Sequence, residues 1–309
     1  MTLAAVDCGT NAIRLLVADV DDDGVLREHV RLMRIVRLGE GVDRTGEFAR
    51  AALERTFTAV DEYAGVMRDL GVTRARFVAT SASRDVSNRE AFVAGVRSRL
   101  GIDPEVISGT EEAALSFAGA VRGLPAGVAI PPALVVDIGG GSTEFVLGQV
   151  APEESVSVDI GCVRMTERHL ADDPPTAEQV RAAERDIAAA VARAAQTVDL
   201  ARAGCFVGLA GTVTTVAAMA LDLPEYDASV LHGSVIDYDD VCEVTTRLLA
   251  MTRAERAALP FMHPGRVDII GGGAMVLREA MRAAGAARVI VSETDILDGI
   301  VYRLAAESG

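Results

Sequence analysis

Residues 6–20 read VDCGTNAIRLLVADV, residues 136–150 read VDIGGGSTEFVLGQV, and the two align without a gap. Asp7 falls on Asp137, Gly9 on Gly139, and Val6 and Val20 on Val136 and Val150, at a constant offset of 137 − 7 = 130. Each stretch is an apolar approach, an Asp, a Gly-rich bend with hydroxyl or amide residues, and a second apolar run. That order spells strand, tight turn, strand: a hairpin whose tip offers backbone N–H groups. Two such tips facing each other would grip a chain of phosphates, with one acidic residue at each tip to position a cation. Two halves of similar length opening on one motif point to duplication.

The totals agree with that reading. A chain of 309 residues accommodates two ordinary domains, each with its own core. Half of it is hydrophobic but only 4% is aromatic, with no Trp, so the core is built from Ala, Val, Leu and Ile. That suits parallel or mixed sheets covered by Ala-rich helices. A formal charge of −15, from 45 acidic and 30 basic residues, speaks against nucleic acid or an anionic membrane surface as partner. Every fixed cation is Arg, since the chain has no Lys. Forked phosphate contacts would use that, and the coding bias of a GC-rich genome would produce it too. Cys8, Cys162, Cys205 and Cys242 are widely spaced without a CxxC, as expected of free thiols in a reducing, cytoplasmic compartment. No signal-peptide core fits before Asp7. The uncharged run Ala203 to Leu221 is long enough for a membrane helix, but its Gly and Thr residues divide it into a strand (Cys205–Ala210), a turn and a helix.

Along the first half, strands are expected at 3–8, 12–20 and about 25–37, then a helix near 49–70 with apolar spacing at Leu53, Phe57, Val60 and Ala64. A strand at Arg76–Thr80 precedes a helix from about Asn88, announced by a capping box of Ser87 with Glu90. A short strand, Glu105–Ile107, leads to a helix opened by Ser108 with Glu111. The Pro/Gly-rich stretch Gly123–Pro132 divides residues 1–126 from 127–309. The second half restarts with strands at 133–138, 143–149 and 154–159, then helices through about Leu170 and at 176–200. Beyond the strand–turn–helix at 205–221 come helices at 238–250 and 273–284, a strand at 288–291 and a helix at 294–306 that would pack back on the first domain. A three-stranded meander followed by alternating helices and strands, stated twice, is the duplicated actin-like, sugar-kinase-type (ribonuclease H-like) α/β architecture. Ligands of that architecture bind in the cleft between the halves.

Gly139, Gly140 and Gly141 let the backbone approach an anion, and Ser142 and Thr143 add hydroxyls. Gly9, Thr10 and Asn11 take the same part in the first half. Asp7, Asp137 and Glu144 are the candidate metal carboxylates, because acidic groups beside phosphate-binding amides need a cation between them, and Mg²⁺ held largely through waters is the usual one. An Asp capping its own turn is the competing reading. Glu111 closes the capping box, whereas Glu112 is left without such a task, on another face with Leu115, Ser116 and Gly119. Glu112 could therefore take a proton from water attacking a terminal phosphate, or simply be solvated. Arg84 and Arg164 follow strand ends, where they could pair with phosphate or with a surface carboxylate. Gly211, Thr212 and Thr215 open a helix after a strand, which is an anion-friendly or merely a well-capped terminus. His232 and His263 read as structural.

VDCGTNAIRLLV, ATSASRDVSN, ISGTEEAALSFAGA, VVDIGGGSTEFVLG, DIGCVRMTERHL and LAGTVTTVAAM occur in the order shown by the exopolyphosphatase/guanosine pentaphosphate phosphohydrolase (Ppx/GppA) family, which the chain resembles from about residue 3 to 303. The resemblance implies that Glu112 is the catalytic base, that Asp137 and Glu144 lie at a Mg²⁺ region, and that Arg84 contacts phosphate. It implies release of orthophosphate from the end of inorganic polyphosphate. The alternatives are removal of the 5′-phosphate of guanosine pentaphosphate or a low-turnover sensor of polyphosphate or guanosine tetraphosphate, with a kinase of the same fold further off. Ala12 stands where the family commonly has Ser, and the chain resembles the short two-domain form without a helical extension. Self-association into a homodimer is left open.

Overall fold

A computed structural model describes residues 1–21 and 23–307. The chain runs β1 (Leu3–Cys8), β2 (Ala12–Val20), β3 (Leu26–Ile35), α1 (Val42–Thr45), α2 (Arg50–Asp69), β4 (Arg74–Ala79), α3 (Ser81–Arg84), α4 (Arg89–Leu100), β5 (Glu105–Val106) and α5 (Gly109–Gly123). It restarts with β6 (Ala133–Ile138), β7 (Thr143–Gly148), β8 (Pro152–Val158), α6 (Cys162–His169), α7 (Ala177–Ala194), β9 (Cys205–Leu209) and α8 (Ala210–Ala220). Then follow α9 (Ala228–Leu231), β10 (Val235–Asp237), α10 (Tyr238–Ala250), α11 (Arg253–Ala257), α12 (Ile270–Ala284), β11 (Arg288–Ser292) and α13 (Ile296–Ala306). Two compact units result: Met1–Gly119 with the segment from Ile296 onward, and Ala120–Asp295. The change from one unit to the other falls at 119/120, within helix α5.

The first unit holds a sheet in the order β3-β2-β1-β4-β5, with β1 antiparallel to β2 and parallel to β4. Strand β1 is buried on both faces, and its period of two divides it. Ala4, Val6 and Cys8 join the core formed with α2 and α4, where Phe92 meets Phe48 and Phe77. Leu3 and Ala5 pack with Leu115 of α5 and with Ile296, Ile300 and Leu304 of α13, so α13 is part of this unit. Asp7 continues the Leu3–Ala5 row at the strand's carboxyl end. The second unit repeats the plan in a sheet of order β10-β11-β9-β6-β7-β8. Leu134, Val136 and Ile138 of β6 face its main core, which places Asp137 on the opposite row. This is the duplicated actin-like α/β fold. Both hairpin tips lie at the carboxyl ends of parallel strands, where connections leave side chains exposed to ligands.

Local details depart from expectation in several places. The helix near 88 begins at Arg89 with Asn88 as N-cap and without a side-chain cap bond. Asn88 is instead fastened to the backbone of Phe48, through Oδ1 at 2.9 Å and Nδ2 at 3.0 Å, and Ser87 Oγ turns to Gly46 O, so the expected Ser87–Glu90 capping box does not form. The run from Ala203 to Leu221 is β9 followed by α8, and no helix among the described residues is long and apolar enough to cross a membrane. The four cysteines are free.

Candidate functional site

In the first unit the β1–β2 tip closes by Gly9 N–H donating to Ala12 O at 2.9 Å. The chain leaving β3 straps this tip: Gly39 N–H donates to Thr10 O at 2.8 Å, and Val36 and Arg37 N–H donate to Asn11 O. A Cβ at Gly39 would lie 2.3 Å from Thr10 Cγ2, so only glycine allows the strap to sit so close. Because a trans peptide directs its C=O and the following N–H to opposite sides, pinning the carbonyls of Thr10 and Asn11 aims the N–H groups of Asn11 and Ala12 away from the strap. Thr10 Oγ1 is buried without a hydrogen bond. Asp7 sits in register with Arg14 on β2 and accepts from its Nη2 at 2.6 Å and Nε at 3.1 Å. A guanidinium thus already offsets the charge of this carboxylate, one of the three expected near a metal.

Beyond β4, the short helix α3 carries Arg84 to Glu112, with Nη1 2.7 Å from Oε2 and 3.2 Å from Ile107 O. Glu112 is 8% exposed and Arg84 is partly buried, so the candidate base and the candidate phosphate ligand form one ion pair at the edge of solvent. Arg89 fixes this arrangement by donating to Ser83 O at 2.6 Å and Arg84 O at 2.7 Å. Glu111 is held differently from expectation. Its N–H reaches Ser108 Oγ at 3.1 Å, but its carboxylate goes to Arg76 at 2.8 Å and Arg303 at 3.3 Å. Only half of the capping box exists, because two guanidinium groups outbid the Ser108 backbone amide. Glu111 and Glu112 thus pair with different guanidinium groups.

The second unit builds its tip on the same plan with more glycine. Gly139 N–H donates to Ser142 O at 3.0 Å, so the Gly139 amide serves the turn. The first amides of α6 bind the tip: Cys162 N–H to Gly139 O at 3.0 Å, Val163 N–H to Gly140 O at 2.9 Å and Arg164 N–H to Gly140 O at 3.1 Å. Arg164 Nε adds a bond to Gly141 O at 2.8 Å. With three carbonyls turned toward α6, the N–H groups of Gly140, Gly141 and Ser142 aim the other way, which makes an anion-binding nest. This packing requires Gly161, where a Cβ would fall 2.5 Å from Gly140 C and O and 2.7 Å from Gly141 N. Arg164 therefore braces the nest. The hydroxyl of Thr143, expected to meet phosphate, is wholly buried and donates to Ile160 O at 2.6 Å.

Glu144 faces Asp137 across the β6–β7 pair, in register and on one face. Its Oε1 accepts from Ser142 Oγ at 2.8 Å and Ser157 Oγ at 2.7 Å, and Glu144 is 1% exposed. Ser157 reaches Glu144 from β8, a positioning contact that strand alternation could have signalled. Two nearly buried carboxylates directly opposite each other repel unless a cation or proton joins them, and hard oxygen donors suit Mg²⁺. The described residues hold no group of three or more His, Cys, Asp or Glu suited to a metal. A two-carboxylate site completed by waters and phosphate oxygens fits that donor set.

At the β9–α8 junction Ala210 has φ +70°, a left-handed conformation unusual outside glycine. Arg266 lies across the neighbouring Gly211, where a Cβ would be 2.4 Å from Cζ, and Nη1 donates to Thr215 Oγ1 at 3.1 Å. Sequence reasoning found the junction but missed Arg266, which arrives from 55 residues away (266 − 211). Burial pushes the nearby Cys162 thiol up to about 11, against the pull of Thr212 and Arg266, which disfavours the thiolate. His232 Nδ1 accepts from Glu293 N–H at 3.2 Å, which leaves Nε2 to donate to Gly123 O at 2.9 Å. His263 Nδ1 accepts from Gly265 N–H, and burial lowers its pKa. Both histidines serve the fold.

The sequence profile of the Ppx/GppA phosphatase family matches residues 16–308. The chain is 51% identical to Exopolyphosphatase 2 of Mycobacterium tuberculosis, over 98% of each chain. Among solved structures, an exopolyphosphatase-like protein superposes with a TM-score of 0.95 at 43% identity, covering 100% of both chains. The Aquifex aeolicus member of the Ppx/GppA family does so with a TM-score of 0.80 at 27% identity, covering 100% of this chain and 99% of that one.

Proposed function

Because the chain belongs to the Ppx/GppA phosphatase family, we propose that it is an exopolyphosphatase, a phosphoanhydride hydrolase that releases orthophosphate from the end of inorganic polyphosphate. The observation that carries this reading is the Arg84–Glu112 pair, a guanidinium and a carboxylate joined at 2.7 Å in a unit whose hairpin tip turns its amides outward. Glu112 takes the proton of the attacking water while the water oxygen bonds to the terminal phosphorus. The anhydride P–O bond then breaks, and its electron pair leaves with the shortened chain. Arg84 orients the phosphoryl oxygens and offsets their charge, and in the second unit the nest amides of Gly140, Gly141 and Ser142 offer an anion-binding turn of their own. Arg164 and Gly161 keep that nest in shape. Thr10 and the amides of Asn11 and Ala12 supply further donors in the first unit.

We propose Mg²⁺ as the cofactor: Asp137 and Glu144 would hold it, and it would supply charge neutralisation at phosphate oxygens. Ser142 and Ser157 orient Glu144 for that task. Asp7, offset by Arg14, shapes its tip and is a secondary candidate at most. A reducing compartment such as the cytoplasm suits four free thiols, two of them buried.

Orthophosphate release from tripolyphosphate, long-chain polyphosphate and guanosine pentaphosphate, in Mg²⁺ and in excess chelator, tests the proposal. Metal-dependent release from polyphosphate is expected. Release from guanosine pentaphosphate alone would replace the substrate assignment, and undiminished activity in chelator would remove the metal.

A further inference from the structure

Away from the two tips, helices α7 and α12 of the second unit enclose a groove of about 540 Å³ that the chemistry above does not use. Four of its nine lining residues are Arg, against 30 in 309 residues overall, so it concentrates positive charge in a protein of net −15. The four form two rows. Arg181 and Arg185 stand four apart on α7, and Arg278 and Arg282 stand four apart on α12. Like charges at that spacing oppose helix formation, and both rows line the same groove. Glu184 reaches Arg278 at 2.8 Å, and Glu279 holds Arg282 at 2.6 Å. Arg181 and Arg185 have no carboxylate in ion-pair contact among the described residues. With those two acids counted, the lining carries 4 − 2 = 2 positive charges over a floor of Ile187 and Met275.

Arg residues four apart on a helix are separated by about 6 Å along its axis, so one orthophosphate satisfies one of them. A ligand with charge repeated along its length satisfies a whole row. The groove also shares α12 with the site. Gly272 and Gly273, in the first turn, pack against Thr166, Cys162 and Thr212, and Arg278 and Arg282 follow about 9 and 15 Å further along the axis.

We propose that the α7–α12 groove is a second binding site for linear oligophosphate, engaging stretches of the chain remote from its hydrolysed end. This rests on the exopolyphosphatase reading for its substrate but adds a separate locus with its own consequence. Affinity should depend on chain length, because tripolyphosphate is too short to occupy the nest and the groove together.

The test is the charge-reversal pair Arg181→Glu/Arg185→Glu, with Arg50→Glu/Arg97→Glu in the first unit as a control of equal net charge. All four side chains are exposed, so the fold should tolerate the changes. For the groove variant, KM for long-chain polyphosphate should rise roughly tenfold, equivalent to about 1.4 kcal/mol, while kcat and the tripolyphosphate KM stay as in wild type. The control should change neither by more than about twofold. Direct binding of end-labelled long-chain polyphosphate to Glu112→Gln protein, with and without the groove changes, supplies an arm that needs no turnover. Equal binding in that pair, or a KM shift matched by the control or by tripolyphosphate, would overturn the groove. If the wild type hydrolyses no polyphosphate, the functional reading falls, and the binding arm still decides the groove.

Discussion

Gly161→Ala isolates the geometry of the nest from its chemistry. Gly161 makes no polar side-chain contact by definition, and the substitution adds one methyl group. That methyl would start 2.5 Å from Gly140 C and O and 2.7 Å from Gly141 N, all backbone atoms that cannot rotate away. An ordinary carbon contact needs about 3.5 Å or more, so the tip or the α6 N-terminus must shift by about 1 Å. A shift of that size in groups aimed at a reacting phosphate costs on the order of a hundredfold in turnover. The accompanying strain is that of an overpacked site, about 1–3 kcal/mol. The assay pairs steady-state orthophosphate release with urea unfolding of wild type, Gly161→Ala and a control, Gly65→Ala. Gly65 lies inside α2 with only the end of the flexible Arg68 side chain nearby, at 3.9 Å, so the control should be as stable as wild type or slightly more so. Wild-type turnover by a folded Gly161→Ala protein would refute the argument that α6 holds the tip by close approach.

Further outcomes follow from the same geometry. Glu112→Gln should lower kcat at least roughly a hundredfold with the fold intact, whereas Glu111→Gln, which loosens the ion pairs of a partly exposed carboxylate with Arg76 and Arg303, should cost about 1 kcal/mol of stability and little activity; equal kinetic losses would sink the division of roles. Ser157→Ala should raise the Mg²⁺ concentration for half-maximal activity severalfold, since it removes one of two hydroxyls holding Glu144, and an unchanged Mg²⁺ titration would disconnect that carboxylate from the metal. Burial pushes Cys162 up to about 11 from an ordinary value near 9, so its contribution is fully present below about pH 9 and is lost as pH rises toward 11, by on the order of 2–3 kcal/mol. Urea midpoints at neutral and alkaline pH should therefore fall less steeply for Cys162→Ser than for wild type, and parallel slopes would contradict the assignment. Buried Cys8, whose pKa is also raised, adds to the alkaline loss in both proteins.

The repeated hairpin, the meanders and the long helices were legible because their signals are local. Period-two burial and a turn between two apolar runs suffice for β1–β2 and β6–β7. Glu112 was separable from Glu111 by helix geometry alone, yet what Glu111 does instead was not. Its partners Arg76 and Arg303 lie 35 and 192 residues away in sequence, and nothing in a capping pattern says that a distant guanidinium will outbid a nearby amide. Thr143 shows the same limit from the other side. A hydroxyl beside a Gly-rich bend reads as a phosphate donor until strand alternation points it at Ile160 O. Arg266 escaped notice because it acts by reaching Thr215 and Gly211 from a distant loop, which only tertiary structure discloses. The Pro/Gly-rich stretch marks where helix α5 stops, and the compact units change over a few residues earlier, inside that helix.

The two copies of the motif agree in backbone and differ in charge at one decisive place. Seven residues beyond the Asp, the first copy has Arg14 and the second Glu144, since 14 + 130 = 144. In both hairpins this residue stands in register with the Asp on the facing strand. The first tip therefore carries a salt bridge that neutralises its own carboxylate. The second sets one nearly buried carboxylate against another. Both tips still close by the same amide-to-carbonyl bond, Gly9 to Ala12 and Gly139 to Ser142, and both have their carbonyls tied down by the segment that follows the third strand. Duplication thus preserved the device that turns amides outward, which any phosphate can use. A single side-chain difference then gave the second copy a facing carboxylate pair and the first a carboxylate–guanidinium pair. Exchanging the pair, as Arg14→Glu with Glu144→Arg, should abolish Mg²⁺-dependent turnover even where the protein folds, because Asp137 would then face a guanidinium in place of a second carboxylate. Retention of wild-type Mg²⁺ dependence in that double variant would show that the carboxylate partner of Asp137 does not decide where the metal binds.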